Sequence, residues 1–99
     1  MTATRLYDSA RYLDTAEAQA EYLTAAFETG DPGFVAQAVG TVARARGMSQ
    51  IAKDAGLSRE SLYRALSSDG NPEFGTVMRV LHAMGLRLSA EPASKGEAA

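Results

Sequence analysis

The chain of 99 residues contains no cysteine and no tryptophan, and histidine occurs only once. The absence of cysteine excludes disulfides, thiolate chemistry and the common structural zinc sites, so stability must come from packing. No apolar run approaches the roughly 20 residues that span a bilayer, and no basic-then-apolar signal sequence precedes the first helical pattern. We therefore expect a cytoplasmic protein with no cofactor and no metal.

Patterns that indicate catalysis are also missing from the sequence. There is no Gly-rich phosphate loop after a strand, no paired carboxylates, and no nucleophile with a base at a recognisable spacing. His82 falls beside Arg79, on the side of its predicted helix away from the apolar residues, which indicates an exposed surface position. The four methionines are typical of residues that fill gaps in a hydrophobic core. An enzyme is the least favoured class.

The overall composition is that of an ordinary globular domain. Hydrophobic residues make up 45% of the chain and charged residues 22%, and the length suits one compact core. We expect an all-α, five-helix domain over residues 14–92, a partly ordered N-terminal arm over 1–13 and a disordered tail over 93–99.

Charge is unevenly distributed along the chain. The net charge is −2, but residues 1–41 carry −4, residues 42–67 carry +3 and the remainder carries −1. This distribution suits a protein with one side that faces DNA and another that does not.

Capping residues and glycines divide the sequence into five helices. The predicted N-caps are Asp14, Asp31, Ser49, Ser58 and Asn71, and the predicted ends lie near Glu28, Arg46, Ala55, Ser67 and Gly85. Apolar residues at helical spacing predict buried faces on the first, second and fifth helices: Ala16, Ala20, Leu23, Phe27; Val35, Ala38, Val39, Val42; and Phe74, Val77, Met78, Leu81, Met84. Alternation over residues 86–91 predicts a short extended segment.

The third and fourth helices together fit a helix-turn-helix from Met48 to Ser67. Such a motif needs a small residue where the helices approach and a turn residue that tolerates positive φ. With Met48 at position one, Ala52 occupies the small-residue position five and Gly56 the turn position nine. The positions expected to be buried are then Ile51, Ala55, Leu57, Leu62 and Ala65.

The polar residues left on the outer face suit DNA recognition. Arginine binds guanine O6 and N7 with two hydrogen bonds, and glutamate accepts from cytosine N4. The predicted base-contacting residues are Ser58, Arg59, Glu60, Tyr63 and Arg64. The predicted phosphate-contacting residues are Arg44, Arg46, Ser49, Gln50 and Lys53, which would position the protein without reading sequence.

Two alternatives stay open at this point. The same charges are compatible with the solvated face of a helical protein-interaction module that does not bind DNA. Tyr63 can also pack its ring against the bundle and expose only its hydroxyl group.

The chain resembles the bacterial addiction-module antidote proteins from about Leu13 to Ala90. The resemblance rests on Asp31-Pro32, on Arg-Ala-Arg-Gly-Met-Ser-Gln over 44–50, on Gly-Leu-Ser-Arg-Glu-Ser-Leu-Tyr over 56–63, on Gly-Asn-Pro over 70–72 and on 81–88. It implies a lambda-repressor-like (Xre-type) helix-turn-helix bundle. It further implies a dimeric antitoxin that binds operator DNA, represses its own operon and neutralises a small RelE/ParE-like toxin. A stand-alone transcriptional regulator without a toxin is the alternative.

The resemblance supplies no motif for toxin contacts. Toxins of this kind are typically basic, so the acidic N-terminal residues are candidates for the contact: Asp8, Asp14, Glu17, Glu21 and Glu28. A solvated helix explains the same acids equally well. Helix five and residues 86–90 provide the apolar surface for a dimer.

Overall fold

The computed structural model describes residues 13–93, which fold into five helices. Their bounds are α1 Ala16–Glu28, α2 Pro32–Arg46, α3 Met48–Ala55, α4 Arg59–Ala65 and α5 Phe74–Ala83. Within this range there is no strand, so the prediction of an all-α, five-helix fold is confirmed. Residues 1–12 and 94–99, which include most of the expected arm and tail and also Asp8, lie outside the described residues.

The N-terminal ends of α1 and α2 are fixed by side-chain caps. The Thr15 hydroxyl accepts a hydrogen bond from the Ala18 amide at 3.1 Å, so Thr15 caps α1 and the prediction of Asp14 is wrong by one residue. A hydroxyl on extended backbone three residues before the amide has the geometry that a cap requires. Asp31 caps α2 as predicted, through the Gly33 amide at 3.1 Å, with Pro32 in the first turn.

Two other predicted caps are wrong. Ser49 lies inside α3, because Gly47 at φ 111° both ends α2 and starts α3, which leaves no linker for a serine cap. Asn71 lies in the loop before α5, whose N-cap is Glu73 without a side-chain bond. This loop packs tightly on α4, where a Cβ at Gly70 would lie 2.1 Å from the Ala65 carbonyl oxygen.

The ends of α4 follow from two serines. The Ser58 hydroxyl accepts from the Ser61 amide at 3.0 Å, which confirms the predicted N-cap. At the other end, the Ser67 hydroxyl donates to the Arg64 carbonyl at 3.0 Å. The helix therefore ends at Ala65, slightly before the predicted Ser67, because Ser67 serves one of the terminal carbonyls instead of extending the helix.

The core lies around α2 and α3, because α2 packs against α1 and α3, and α3 also packs against α4 and α5. In α2, Ala38, Val39 and Val42 are buried and Val35 is half-buried, so the predicted face of this helix is confirmed. Fully enclosed side chains from α4, from α5 and from the C-cap of α5 complete the centre of the core: Leu62, Val80 and Met84. Packing of these apolar groups is the main source of stability.

The buried face of α1 differs from the prediction. Gln19, Leu23 and Ala26 point inward, while Ala16, Ala20 and Phe27 are exposed. Of the four residues predicted to be buried on this helix, only Leu23 is buried. The sequence pattern misleads because alanines occur on every side of α1, and because a glutamine with two hydrogen-bond partners occupies a core position.

The buried face of α5 begins one turn later than predicted. Val80, Leu81 and Met84 are buried, Val77 and Met78 are half-buried, and Phe74 is 71% exposed. After α5, Leu86 and Leu88 pack against the core while Arg87 and Ser89 are exposed, in keeping with the predicted alternation although no strand forms. No helix between residues 13 and 93 is long and apolar enough to cross a membrane.

Candidate nucleic-acid interface

Helices α3 and α4 are joined by a three-residue turn that depends on glycine. Gly56 adopts a left-handed conformation at φ 75°, which costs most L-residues about 1–2 kcal/mol. The Gly56 amide donates to the Lys53 carbonyl at 3.1 Å, and the Leu57 amide donates to the Ala52 carbonyl at 2.8 Å. These bonds satisfy the last carbonyls of α3, so the predicted role of Gly56 is confirmed.

The inner face of the α3–α4 pair matches the predicted register. Ile51, Ala52, Ala55 and Leu62 are between 0% and 3% exposed. Leu57 and Ala65 are half-buried, while Leu66, which was not predicted, is buried. The orientation of the two helices is thus set by apolar contacts, and it determines which residues remain outside.

The outer face of α4 carries all five residues predicted to contact bases: Ser58, Arg59, Glu60, Tyr63 and Arg64 are exposed. The Tyr63 side chain is 42% exposed, and the Arg59 guanidinium carbon lies 5.4 Å from its ring centroid. This is a cation–π contact across one helical turn. It reduces the freedom of the Arg59 side chain and holds the guanidinium close to α4.

Ser58 has a structural task in addition to its predicted one. Its hydroxyl is the N-cap of α4, so it satisfies a backbone amide that would otherwise lack a partner. Any contact from Ser58 to DNA would have to share this oxygen atom with the Ser61 amide. The structure therefore places Ser58 on the same exposed surface as the other four residues, where it also stabilises the start of α4.

The five residues predicted to contact phosphates are also exposed: Arg44, Arg46, Ser49, Gln50 and Lys53. They lie on the end of α2 and on the beginning and middle of α3. Helix α3 has no side-chain cap, and its first amides have no intrahelical acceptor. Free amides and the positive end of the helix dipole favour the binding of an anion at such a position.

Three of these side chains make contacts within the protein. Arg46 donates to the side chain of Gln19 at 2.8 Å, and Gln50 donates to the Asp54 carboxylate at 2.9 Å. Arg44 donates to the Thr41 hydroxyl at 3.4 Å. The contact with Asp54 reduces the capacity of Gln50 to bind a phosphate.

Two residues that support this surface were not predicted from the sequence. The Arg79 side chain on α5 donates to the Ala55 carbonyl at 3.1 Å, and so ties α5 to the C-terminal end of α3. Gln19 on α1 bonds Arg46. The spacing of Gln19 with Leu23 and Ala26 is helical, but hydrophobic spacing does not single out a glutamine, and no sequence pattern indicated the contact of Arg79.

Comparisons with known proteins identify relatives over almost the whole chain. Residues 3–92 match the sequence profile of a family described as probable addiction module antidote proteins. An uncharacterized protein of Haemophilus influenzae Rd is 45% identical over 85 residues, which cover 86% of this chain and 88% of the relative. No solved structure matches the chain. Because these two matches cover most of the chain, the chain belongs to the family of probable addiction module antidote proteins.

Proposed function

We propose that this chain is the antitoxin of a type II toxin-antitoxin module. In this proposal it binds operator DNA through a helix-turn-helix formed by α3 and α4, represses its own operon and neutralises a small RelE/ParE-like toxin in the cytoplasm. Membership of the antidote family supports a toxin partner in general. The exposed row of polar residues on α4, backed by a buried apolar face, carries the DNA-binding part.

The chemistry of the α4 surface suits base reading in the major groove. Arg59 and Arg64 offer planar guanidinium groups that can bind guanine with two bonds, and Glu60 can accept from cytosine. The Tyr63 ring under Arg59 preorganises one of these arginines, which reduces the entropy lost on binding.

The neighbouring surface suits the DNA backbone. The uncapped start of α3 presents backbone amides at Ser49 and Gln50, while Arg44, Arg46 and Lys53 add positive charge. Contacts of this type fix the position of a helix-turn-helix on the duplex and make binding depend on salt.

The acidic part of the chain suits a basic protein partner. Between residues 13 and 43 there are five carboxylates and no lysine or arginine, and all five are exposed: Asp14, Glu17, Glu21, Glu28 and Asp31. A basic toxin would meet complementary charge there. We also propose a homodimer, since one recognition helix makes few base contacts. The exposed Phe74 on α5 offers apolar surface for it, together with the parts of Leu86 and Leu88 that their packing on the core leaves uncovered.

Gel-shift titration on a duplex from the chain's own promoter tests the DNA-binding part. Arg59→Ala should cost about 1–3 kcal/mol and reduce the preference over an unrelated duplex. Lys53→Ala should weaken binding to both duplexes alike and reduce the salt slope by about 1. Small, equal effects of the two substitutions on both duplexes would favour a protein-interaction module without DNA binding.

Co-expression with the neighbouring open reading frame tests the toxin-binding part. The proposal expects that the neighbour arrests growth alone, and that this chain restores growth and co-purifies with it. Promoter binding without rescue or co-purification would instead identify a stand-alone regulator. A monomeric mass in solution at micromolar concentration would contradict the dimer.

A further inference from the structure

A buried glutamine connects the beginning of the described chain with the proposed phosphate-binding surface. Gln19 on α1 is 3% exposed. Its Nε2 donates to the Leu13 carbonyl at 2.9 Å, and its Oε1 accepts from Nη1 of Arg46 at 2.8 Å. Both ends of the amide are therefore used, and no buried side-chain polar atom in the described range lacks a partner.

Arg46 lies where the bond to Gln19 can affect DNA binding. It is the last residue of α2, and only Gly47 separates it from the first residue of α3. The side chain is exposed, and its guanidinium group has five N–H donors, of which the bond to Gln19 uses one. An exposed arginine ordinarily loses rotamer freedom when it binds a phosphate; here Gln19 restricts that freedom beforehand.

We propose that Gln19 is a positioning residue for DNA binding. It holds the Arg46 guanidinium at the junction of α2 and α3, so that Arg46 binds the same phosphate as the first amides of α3. The bond to Leu13 fixes the amide orientation, because Nε2 donates to that carbonyl and Oε1 is thereby turned toward Arg46. This inference rests on the proposed DNA-binding function and extends it to a residue outside the α3–α4 pair.

A double-mutant cycle on the promoter duplex tests the proposal. Gln19→Met keeps an unbranched side chain of similar length but removes both hydrogen bonds, and Arg46→Ala removes the charge. Each single substitution should weaken binding about two- to tenfold. Gln19→Met should add nothing in the Arg46→Ala background, since Gln19 acts through Arg46. The salt slope should fall by about 0.9 with Arg46→Ala and move in the same direction with Gln19→Met.

A second variant avoids the core, so that a failure of Gln19→Met to fold does not end the test. Arg46→Lys keeps the charge at an exposed position but replaces the planar fork with an ammonium group. We expect about two- to tenfold weaker binding with an unchanged salt slope. Equal binding of Arg46→Lys and the unmodified chain would overturn the positioning role.

The outcomes separate this inference from the proposed function. If the unmodified chain does not bind its promoter duplex, the DNA-binding function itself is overturned. If it binds with the expected dependence on Arg59 but Gln19→Met folds and has the same affinity and salt slope as the unmodified chain, only the role of Gln19 is overturned. Independent, additive effects of Gln19→Met and Arg46→Ala would also contradict it.

Discussion

The two halves of the described chain differ most in the sign of their exposed charge. Residues 13–43, the acidic half, carry five carboxylates and no lysine or arginine. Residues 44–93, the basic half, carry seven lysine and arginine residues against five carboxylates, and five of the seven cations lie between residues 44 and 67. The small net charge of the whole chain, −2, conceals this separation. Separate regions of opposite charge allow one protein to attract a nucleic acid on one surface while the other surface remains available to a basic protein.

The same halves also differ in how tightly a glycine is enclosed after a helix. Gly30, after α1, would meet nothing within 4 Å if it carried a Cβ. Gly70, in the loop that follows α4, would place that atom 2.1 Å from the Ala65 carbonyl oxygen and 2.7 Å from the Arg64 carbonyl oxygen. Gly33 and Gly40 in α2 also lie close to backbone, with Cβ positions 2.9 Å from the Ser68 carbonyl oxygen and 3.0 Å from the Leu66 carbonyl oxygen. The difference therefore lies between the two turns: the loop after α4 is held by a close backbone contact that the turn after α1 lacks.

The largest expected effect comes from this contact. Gly70→Ala should lower the free energy of unfolding by about 3 kcal/mol, because backbone atoms of α4 would have to move. Gly30→Ala should cost only about 1 kcal/mol, through its positive φ of 69° alone. Denaturant unfolding of both variants measures the difference, and equal losses would show that the two turns are equally enclosed.

A charge-reversal pair tests the division of the surface directly. Lys53→Glu would remove one proposed phosphate contact and add a repulsive charge, so the salt slope for promoter binding should fall by about 1–2. Glu17→Lys is the matched control on α1 and should leave specific promoter binding nearly unchanged. Fluorescence titration at several salt concentrations provides both slopes. If Glu17→Lys changed binding as much as Lys53→Glu, the separation into two surfaces would be wrong.

Much of the α3–α4 pair could be predicted from the sequence, because few residues there satisfy the geometry. One small residue, one glycine and a few large apolar residues fix a single register, and Ala52, Gly56 and Leu62 occupy it as predicted. In α1, by contrast, alanines make several faces equally apolar, and the correct face contains Gln19. Hydrophobic spacing cannot identify a polar residue that is buried because distant residues satisfy it.

The details of the candidate site were less predictable than its location. The five outward residues of α4 followed from the register, but the contact between Arg59 and Tyr63 depends on rotamers. The bonds of Arg79 to α3 and of Gln19 to α2 join residues that are 24 and 27 positions apart. Contacts of that range arise from tertiary packing and leave no local pattern.

Two capping residues, one in each half, provide a prediction of intermediate size. Thr15→Ala and Ser58→Ala should each lower the free energy of unfolding by about 1 kcal/mol, because each leaves a helix amide without its acceptor. Only Ser58→Ala should also weaken promoter binding, since α4 is the proposed recognition helix. A loss of promoter binding with Thr15→Ala at temperatures where the variant is folded would contradict that assignment.

The smallest expected effect concerns the acidic half and asks whether its charges serve a partner. Glu17 and Glu21 are exposed one turn apart on α1, where like charges destabilise a helix by about 0.2–0.5 kcal/mol. Glu21→Gln should therefore raise the free energy of unfolding by a few tenths of a kcal/mol at low salt, and the gain should vanish at high salt. The same substitution should weaken binding of the proposed toxin partner, with no effect on binding of the promoter duplex. An unchanged affinity for that partner would show that these carboxylates only form the water-exposed face of α1.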